Sequence, residues 1–182
     1  LVPCHFGLEA VLKKEIYDLG YEISKVEDGR ITFLGDEEAI CRANIFLRTA
    51  ERILIKIGSF HAETYEELFQ GVKAIEWEKL LPEDARFPIR AKCVKSTLMS
   101  PSDVQKIAKR AMVERMKSAY GLDWFDETGV LFQIDISIRD DMVTVCMDSS
   151  GEPLSKRGYR TWNGEAPLRE TLAAALVLQS GW

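Results

Sequence analysis

Histidine is scarce in this chain of 182 residues, and cysteine is sparse and scattered. His5 and His61 are the two histidines, and neither stands in a metal-ligand spacing. Cys4, Cys41, Cys93 and Cys146 form no CxxC pair. A structural zinc site is therefore not expected, and four distant cysteines in a chain of this length read as reduced thiols rather than a disulfide framework. No apolar run approaches the ~20 residues that a membrane span requires, and no basic-plus-apolar segment marks a signal peptide. A soluble, cytoplasmic protein is the expectation. No strand–GxGxxG–helix unit occurs, so a nucleotide or methyl-donor pocket of that kind has no support within residues 1–182.

What is present suffices for folding. Hydrophobic residues make up 46% of the chain and aromatics 9%, enough for real cores, and the length fits one ordinary domain or two small ones. The net charge is −5, but it is unevenly spread. Residues 86–117 carry nine Lys/Arg against two Asp/Glu, whereas 1–85 carry ten against seventeen and 118–182 five against ten. One basic stretch inside an acidic chain points to a phosphate-rich partner, because a clustered positive field captures a polyanion. The competing reading is a solvated outer helix face.

That stretch has a definite local grammar. RFPIRAKCVKS alternates as a strand does, with Phe87, Ile89, Ala91 and Cys93 on one face and Arg90, Lys92 and Val94 on the other. Ser100-Pro101-Ser102-Asp103 then opens a helix: a capping Ser, Pro at the first helical position, and a carboxylate three residues after the cap. Val104, Ile107, Ala108, Ala111 and Met112 form its apolar stripe, with Lys106, Arg110 and Lys117 roughly opposite.

Elsewhere the periodicities predict a helix over Leu8–Leu19 ended by Gly20, strands at Tyr21–Val26 and Arg30–Leu34 across the Asp28-Gly29 turn, a helix over Asp36–Ile45 and a strand over Arg52–Phe60. This is a ferredoxin-like order lacking its first strand, which is expected at or before residue 1 and partly outside the chain. A second unit starts near His61. Thr64 and Glu67 make a capping box before Leu68, Val72 and Ile75, Gly71 weakens that helix, and a short turn follows at Trp77–Leu81. After the basic strand and helix, Val130, Phe132, Ile134, Ile136 and Ile138 alternate strictly, and Arg139-Asp140-Asp141 turns the chain into Met142–Met147. The expected order is α-α-β-α-β-β, with one sheet face covered by helices. Beyond Asp148 come a turn, the basic segment Leu154–Arg160, the connector TWNGEAP, and Leu168–Leu178. That last helix is apolar on nearly every side, so it is expected to continue into a domain outside the chain.

Several segments together resemble the N-terminal part of bacterial large-subunit rRNA methyltransferases that modify the N2 amino group of guanine in 23S rRNA. They are Arg42-Ala43-Asn44 with Leu47-Arg48-Thr49-Ala50, Thr64–Trp77, Asp148–Arg160 and Glu165–Trp182. The resemblance implies an α+β chain: a ferredoxin-like unit over residues 1–60, a THUMP RNA-binding domain over 61–150, and over 151–182 a linker and first helix of a Rossmann-like methyltransferase domain. It implies S-adenosylmethionine for the longer protein, no cofactor for residues 1–182, and structured RNA, above all 23S rRNA, as partner. The methyltransferase domain in cis and self-association through the C-terminal helix complete the expected partners. Related sequences have also carried an N6-adenine-specific DNA methylase label.

No catalytic residue is expected here. Asp135, Asp140 and Asp141 read as strand and turn residues, and Glu66, Glu67, Glu76 and Glu78 as solvated helix positions. The candidate RNA contacts are Lys92, Lys95, Lys106, Lys109, Arg110 and Lys117, followed by Lys156, Arg157 and Arg160, with Ser96 and Ser100 as donors near the helix start. Tyr159 and Trp162 are candidates for base stacking or for packing. Two other readings stay open: the RNA-binding region of a tRNA-modifying THUMP enzyme such as a thiouridine synthase, and a protein-interaction or dimerisation module. A duplex-DNA reader would need a helix-turn-helix or zinc pattern, which the sequence lacks.

Overall fold

Val2–Pro3 is a two-residue strand, β1, and it corrects the expectation that the first strand lies at or before residue 1. The structure, a computed structural model, describes residues 1–162 and 164–181. Asn163 of the connector and Trp182 of the tail segment lie outside the described residues. The chain forms two compact units, residues 1–55 together with 149–182, and residues 56–148.

In the first unit, β1 is followed by α1 (Glu9–Asp18), β2 (Ile23–Glu27), β3 (Arg30–Phe33) and α2 (Glu37–Phe46). The sheet order is β1-β3-β2, antiparallel throughout, with Val2 opposite Ile31 and Pro3 opposite Arg30. Leu1 and Leu54 exchange both backbone hydrogen bonds, at 2.7 and 2.8 Å, which adds the start of β4 (Leu54–His61) beside β1. The helix–strand alternation thus closes in ferredoxin-like order. Asp36 caps α2 by accepting from the Ala39 N–H at 3.0 Å. The core is built from Val2, Leu12, Ile16, Ile31, Ala43, Leu47, Ala50 and Ile53.

The tail belongs to this first unit. Its helix α5 (Glu170–Ser180) starts two residues later than expected, and it buries Thr171 and Ala175 while leaving Leu176 and Val177 about half exposed. Ser149 and Ser150 return the chain to the unit. The Ser149 N–H donates to the Ile53 carbonyl at 3.0 Å, and the Ser150 hydroxyl accepts from the Ile53 N–H and donates to Asn44 Oδ1.

In the second unit, α3 (Tyr65–Lys73) begins with the expected capping box. The Thr64 hydroxyl accepts from the Glu67 N–H, and the Glu67 carboxylate accepts from the Thr64 N–H. A single 3-10 turn at Trp77–Lys79 follows, and the buried Trp77 indole donates to the Val72 carbonyl at 2.8 Å. Then come β5 (Ile89–Val94), α4 (Pro101–Tyr120), β6 (Ile134–Arg139) and β7 (Met142–Asp148), in a sheet of order β4-β7-β6-β5. β5 and β6 run parallel, with α4 as their crossover, and β6 and β7 form a hairpin. Asp140 and Asp141 both have positive φ, 49° and 60°, as a two-residue hairpin turn requires. Trp77, Phe87, Met112, Met116, Ile134, Ile136 and Ile138 are buried together on the helix-covered face.

The expected strand from Val130 is shorter than its alternation suggested. Residues 129–132 do run beside 84–86, with Arg86 N–H donating to Val130 O and Phe132 N–H to Arg86 O. Pro88 has no N–H to give, so the ladder breaks there and resumes at Ile89 and Ile134. Val130 and Leu131 are left exposed.

Candidate nucleic-acid interface

The C-terminal end of β5 and the turn into α4 come first. Lys92 sits opposite Ser137 on the strand register, one position out of phase with the pair of partly buried Ala91 and buried Ile136, so it stands on the face turned away from the core. It is exposed and has no ion-pair partner among the described residues. Lys95 follows the strand in a left-handed conformation (φ 48°) and is likewise exposed and unpaired among the described residues. The Ser96 hydroxyl donates to the Leu98 carbonyl, and Ser100 caps α4 by accepting from the Asp103 N–H at 3.4 Å. Lys106 lies on the outer helix face, 3.7 Å from Asp103. These three lysines surround the turn on different surfaces rather than lining one pocket.

Other members of the basic stretch are matched by acids, from outside residues 86–117 for Arg90, Lys109 and Arg115 and from the same helix for Arg110. Lys109 Nζ donates to Glu127 at 2.6 Å and to the Phe87 carbonyl at 3.1 Å, and it lies 3.7 Å from the centre of the Phe87 ring. Burial pulls its pKa below the ordinary lysine value despite the Glu127 carboxylate. Arg110 pairs with Glu114 at 2.9 Å and lies over Phe69. Arg115 makes a bidentate pair with Glu78, and Arg90 binds Asp148 at 2.8 Å beside Asp135 at 3.4 Å. Lys117 is half-buried near the end of α4, and no described residue pairs with it. Lys14, Lys56 and Arg86, exposed cations outside the candidate set, also lack an ion-pair partner among the described residues. Lys56 was hidden because it falls in an acidic part of the sequence.

The second group divides. Arg157 is a structural pin: its guanidinium donates to the Ile45 and Leu47 carbonyls at 2.8 and 2.6 Å, closing the exposed end of α2. Arg160 binds Glu170 at 3.3 Å and the Leu168 carbonyl at 2.7 Å. Lys156 is exposed, with Glu152 4.0 Å away. Tyr159 and Trp162 are exposed, at 77% and 84%, and neither packs into a described core.

Two of the carboxylates hold local structure. Asp141 accepts from the Thr97 N–H at 2.6 Å, and Glu66 accepts from Gln70. His61, Glu63 and Asp141 bring ligating atoms within 4.8 Å of one another, but His61 and Glu63 are exposed and Asp141 already serves Thr97. Glu15, buried on α1, accepts from the Arg48 and Thr49 N–H groups and from the Thr49 hydroxyl at 2.6 Å. Among the described residues, no helix is long and apolar enough to cross a membrane.

Comparison with known proteins places both units. Residues 1–54 match the RlmL ferredoxin-like domain, and residues 62–148 match the THUMP domain. The chain is 51% identical over 178 residues to YpsC of Bacillus subtilis (strain 168), a protein with a provisional RNA-methyltransferase name; the alignment takes in 97% of this chain and 46% of YpsC. It is 30% identical over 182 residues to the ribosomal RNA large subunit methyltransferase K/L of Marinomonas sp. (strain MWYL1), covering 100% of this chain and 25% of that protein. A crystal structure from Listeria monocytogenes str. 4b F2365, described as a predicted N6-adenine-specific DNA methylase, superposes with a TM-score of 0.93 at 49% identity, covering 100% of this chain and 48% of that one. The chain thus spans less than half the length of these relatives.

Proposed function

With an RlmL ferredoxin-like domain joined to a THUMP domain, the chain belongs with the RlmL/RlmK-like rRNA methyltransferases, and on that premise we propose that residues 1–182 bind structured RNA and position it for a methyltransferase domain of the same polypeptide. The substrate is 23S rRNA and the methyl acceptor the N2 amino group of guanine, with S-adenosylmethionine as donor in the part of the longer protein that carries the chemistry. Residues 1–60 are the ferredoxin-like unit, 61–150 the RNA-binding domain, and 151–182 the link toward the methyltransferase domain.

The observation that carries this reading is the pair Lys92 and Lys95. Two exposed ammonium groups without carboxylate partners among the described residues flank the turn between a parallel strand and a 20-residue helix. Ligands of open α/β layers gather at such strand ends, and unpaired cations there meet phosphates without first breaking an ion pair. Lys106 and Lys117 extend the positive field along α4. Arg110 adds less, since Glu114 must be displaced, and Lys109 acts inside the domain.

The test is a binding titration of the K92E/K95E/K106E variant against a 23S rRNA fragment, a tRNA and duplex DNA at two salt concentrations. Loss of three phosphate contacts makes the log–log salt slope shallower by roughly 2–3 and weakens rRNA binding at least tenfold at about 0.1 M salt. Unchanged rRNA affinity rejects this surface. Preference for tRNA or for duplex DNA rejects the substrate.

A further inference from the structure

Helices α3 and α4 bury Leu68, Val72, Val104, Ala108 and Ala111 in the core of the second unit. Beside that contact one flank of each helix is left over. On α3 it carries Tyr65 and Phe69, four residues apart and therefore on one side of the helix, and on α4 it carries Ile107 and Arg110. Together with Glu66 these residues line a groove of about 300 Å³. Phe69 and Ile107 are partly buried against the core, whereas Tyr65, Glu66 and Arg110 are exposed.

The charged side chains of the groove are held in place. Glu114 is shared by two cations: its Oε1 accepts from Arg110 at 2.9 Å and its Oε2 from Lys73 at 3.1 Å, so the three side chains together keep one positive charge. Arg110 and Lys73 also lie over the Phe69 ring, 5.2 and 5.4 Å from its centre. Arg110 is thus fixed by Glu114 and Phe69, yet its side chain stays 74% exposed. On the α3 side, Glu66 Oε1 accepts from Gln70 at 2.6 Å, and among the described residues its other oxygen accepts no hydrogen bond.

An exposed ring and a fixed guanidinium attract a flat π-system, as where single-stranded RNA is held. The Glu66 carboxylate calls for a donor, which the exocyclic amino group of a base supplies. The volume stands at the low end of small-ligand pockets, room for one ring system rather than for a peptide helix laid along a groove. Lys106, exposed and adjacent to Ile107 on α4, continues the groove into the lysines around the β5–α4 turn and offers a phosphate contact on that side. We propose that this groove holds one unstacked base of a bound RNA strand, its ring against Tyr65 and the Arg110 guanidinium and its amino group donating to Glu66. The site rests on the RNA-binding reading and adds a preference to it: cytosine over uracil, which presents an oxygen where cytosine carries the amino group.

The experiment titrates fluorescent oligocytidine and oligouridine of equal length, at slightly alkaline pH, into the chain and its Y65S, Y65F and E66Q variants. Thermal melting of each confirms folding. The parent is expected to bind oligocytidine about fivefold more tightly than oligouridine. Y65S weakens oligocytidine binding at least about fivefold, and Y65F, which keeps the ring, retains it. E66Q brings the ratio between the two oligonucleotides below about twofold. A change of charge alone shifts both oligonucleotides equally, so the ratio isolates the amino contact. Equal binding of the two by the parent, or unchanged oligocytidine affinity in Y65S, overturns the groove while leaving RNA binding intact. Failure of the parent to bind either oligonucleotide rejects RNA binding itself. Sedimentation without RNA covers the other occupant: a dimer that Y65S dissociates assigns the groove to a second copy of the chain and overturns the proposal. Should Y65S melt at a much lower temperature, Y65L decides by the same criteria.

Discussion

Lys109 counts as one of the nine positive charges of residues 86–117, yet its ammonium group is spent on Glu127, a backbone carbonyl and the face of Phe87. Sequence order could not reveal that, because Glu127 lies eighteen positions away across a loop. Glu15 and Asn44 were equally illegible as contacts. Their partners, Arg48-Thr49 and Ser149-Ser150, belong to the very segments that carry the family resemblance, and here they serve joins in the backbone. Cys4 yields a prediction at this scale. Burial, with help from the Glu9 and Glu51 carboxylates, pushes its thiol up from 9.0 to about 12. The folded state therefore holds this proton more tightly than the unfolded state does. The associated stability is full below pH 9 and is lost as pH rises toward 12. Lys109, its pKa lowered by burial, works in the opposite sense. Urea unfolding at intervals between pH 8 and 11 should show a smaller loss of stability in C4A than in the parent. Parallel curves for the two proteins would remove Cys4 from the balance.

Among the elements, helices were read more closely than strand ends. The Ser100 cap, Pro101 and the Thr64–Glu67 box are local signals, and α3 and α4 begin where these signals put them. Alternation overextends β6 (Ile134–Arg139), because at Val130 and Phe132 it says nothing of Pro88, the residue across the ladder that cannot donate. Gly71 sits inside an unbroken α3, and its part there is a close approach. It reads as a weak point of α3, but a Cβ there would fall 2.2 Å from the Phe60 ring. Helix propensity favours Ala over Gly by about 1 kcal/mol, whereas forcing a methyl against a packed ring costs about 1–3 kcal/mol. Packing should prevail: G71A lowers the urea midpoint, and F60A/G71A loses less than the two single losses combined. A G71A variant more stable than its parent would mean that Phe60 moves aside freely.

For the whole molecule, the acidic total with a basic centre overstates the field, since Arg90, Lys109 and Arg115 face carboxylates from other elements and Arg110 faces one on its own helix. The tail was legible as apolar helix, and the burial of Thr171 and Ala175 beside half-exposed Leu176 and Val177 gives it an inner and an outer side. An uncovered apolar strip promotes association. The chain should form dimers or larger species as concentration rises, and L176S/V177S should shift sedimentation toward the monomer. A parent that stays monomeric at every concentration would reject that contact. The return of Ser149 to Ile53 has a further consequence, for the order of folding. Residues 56–148 are an insert whose ends lie on neighbouring strands, β4 and β7, tied by Ser59 Oγ to Val143 O and by Ala62 N–H to Asp141 O. Bringing 149 back to 53 across a slack insert costs about 4 kcal/mol of chain entropy. Once the insert has folded, most of that cost has been met by its own sheet, so the discontinuous first unit gains its last segments as a local event. The second unit is in this sense the clasp on which completion of the first depends.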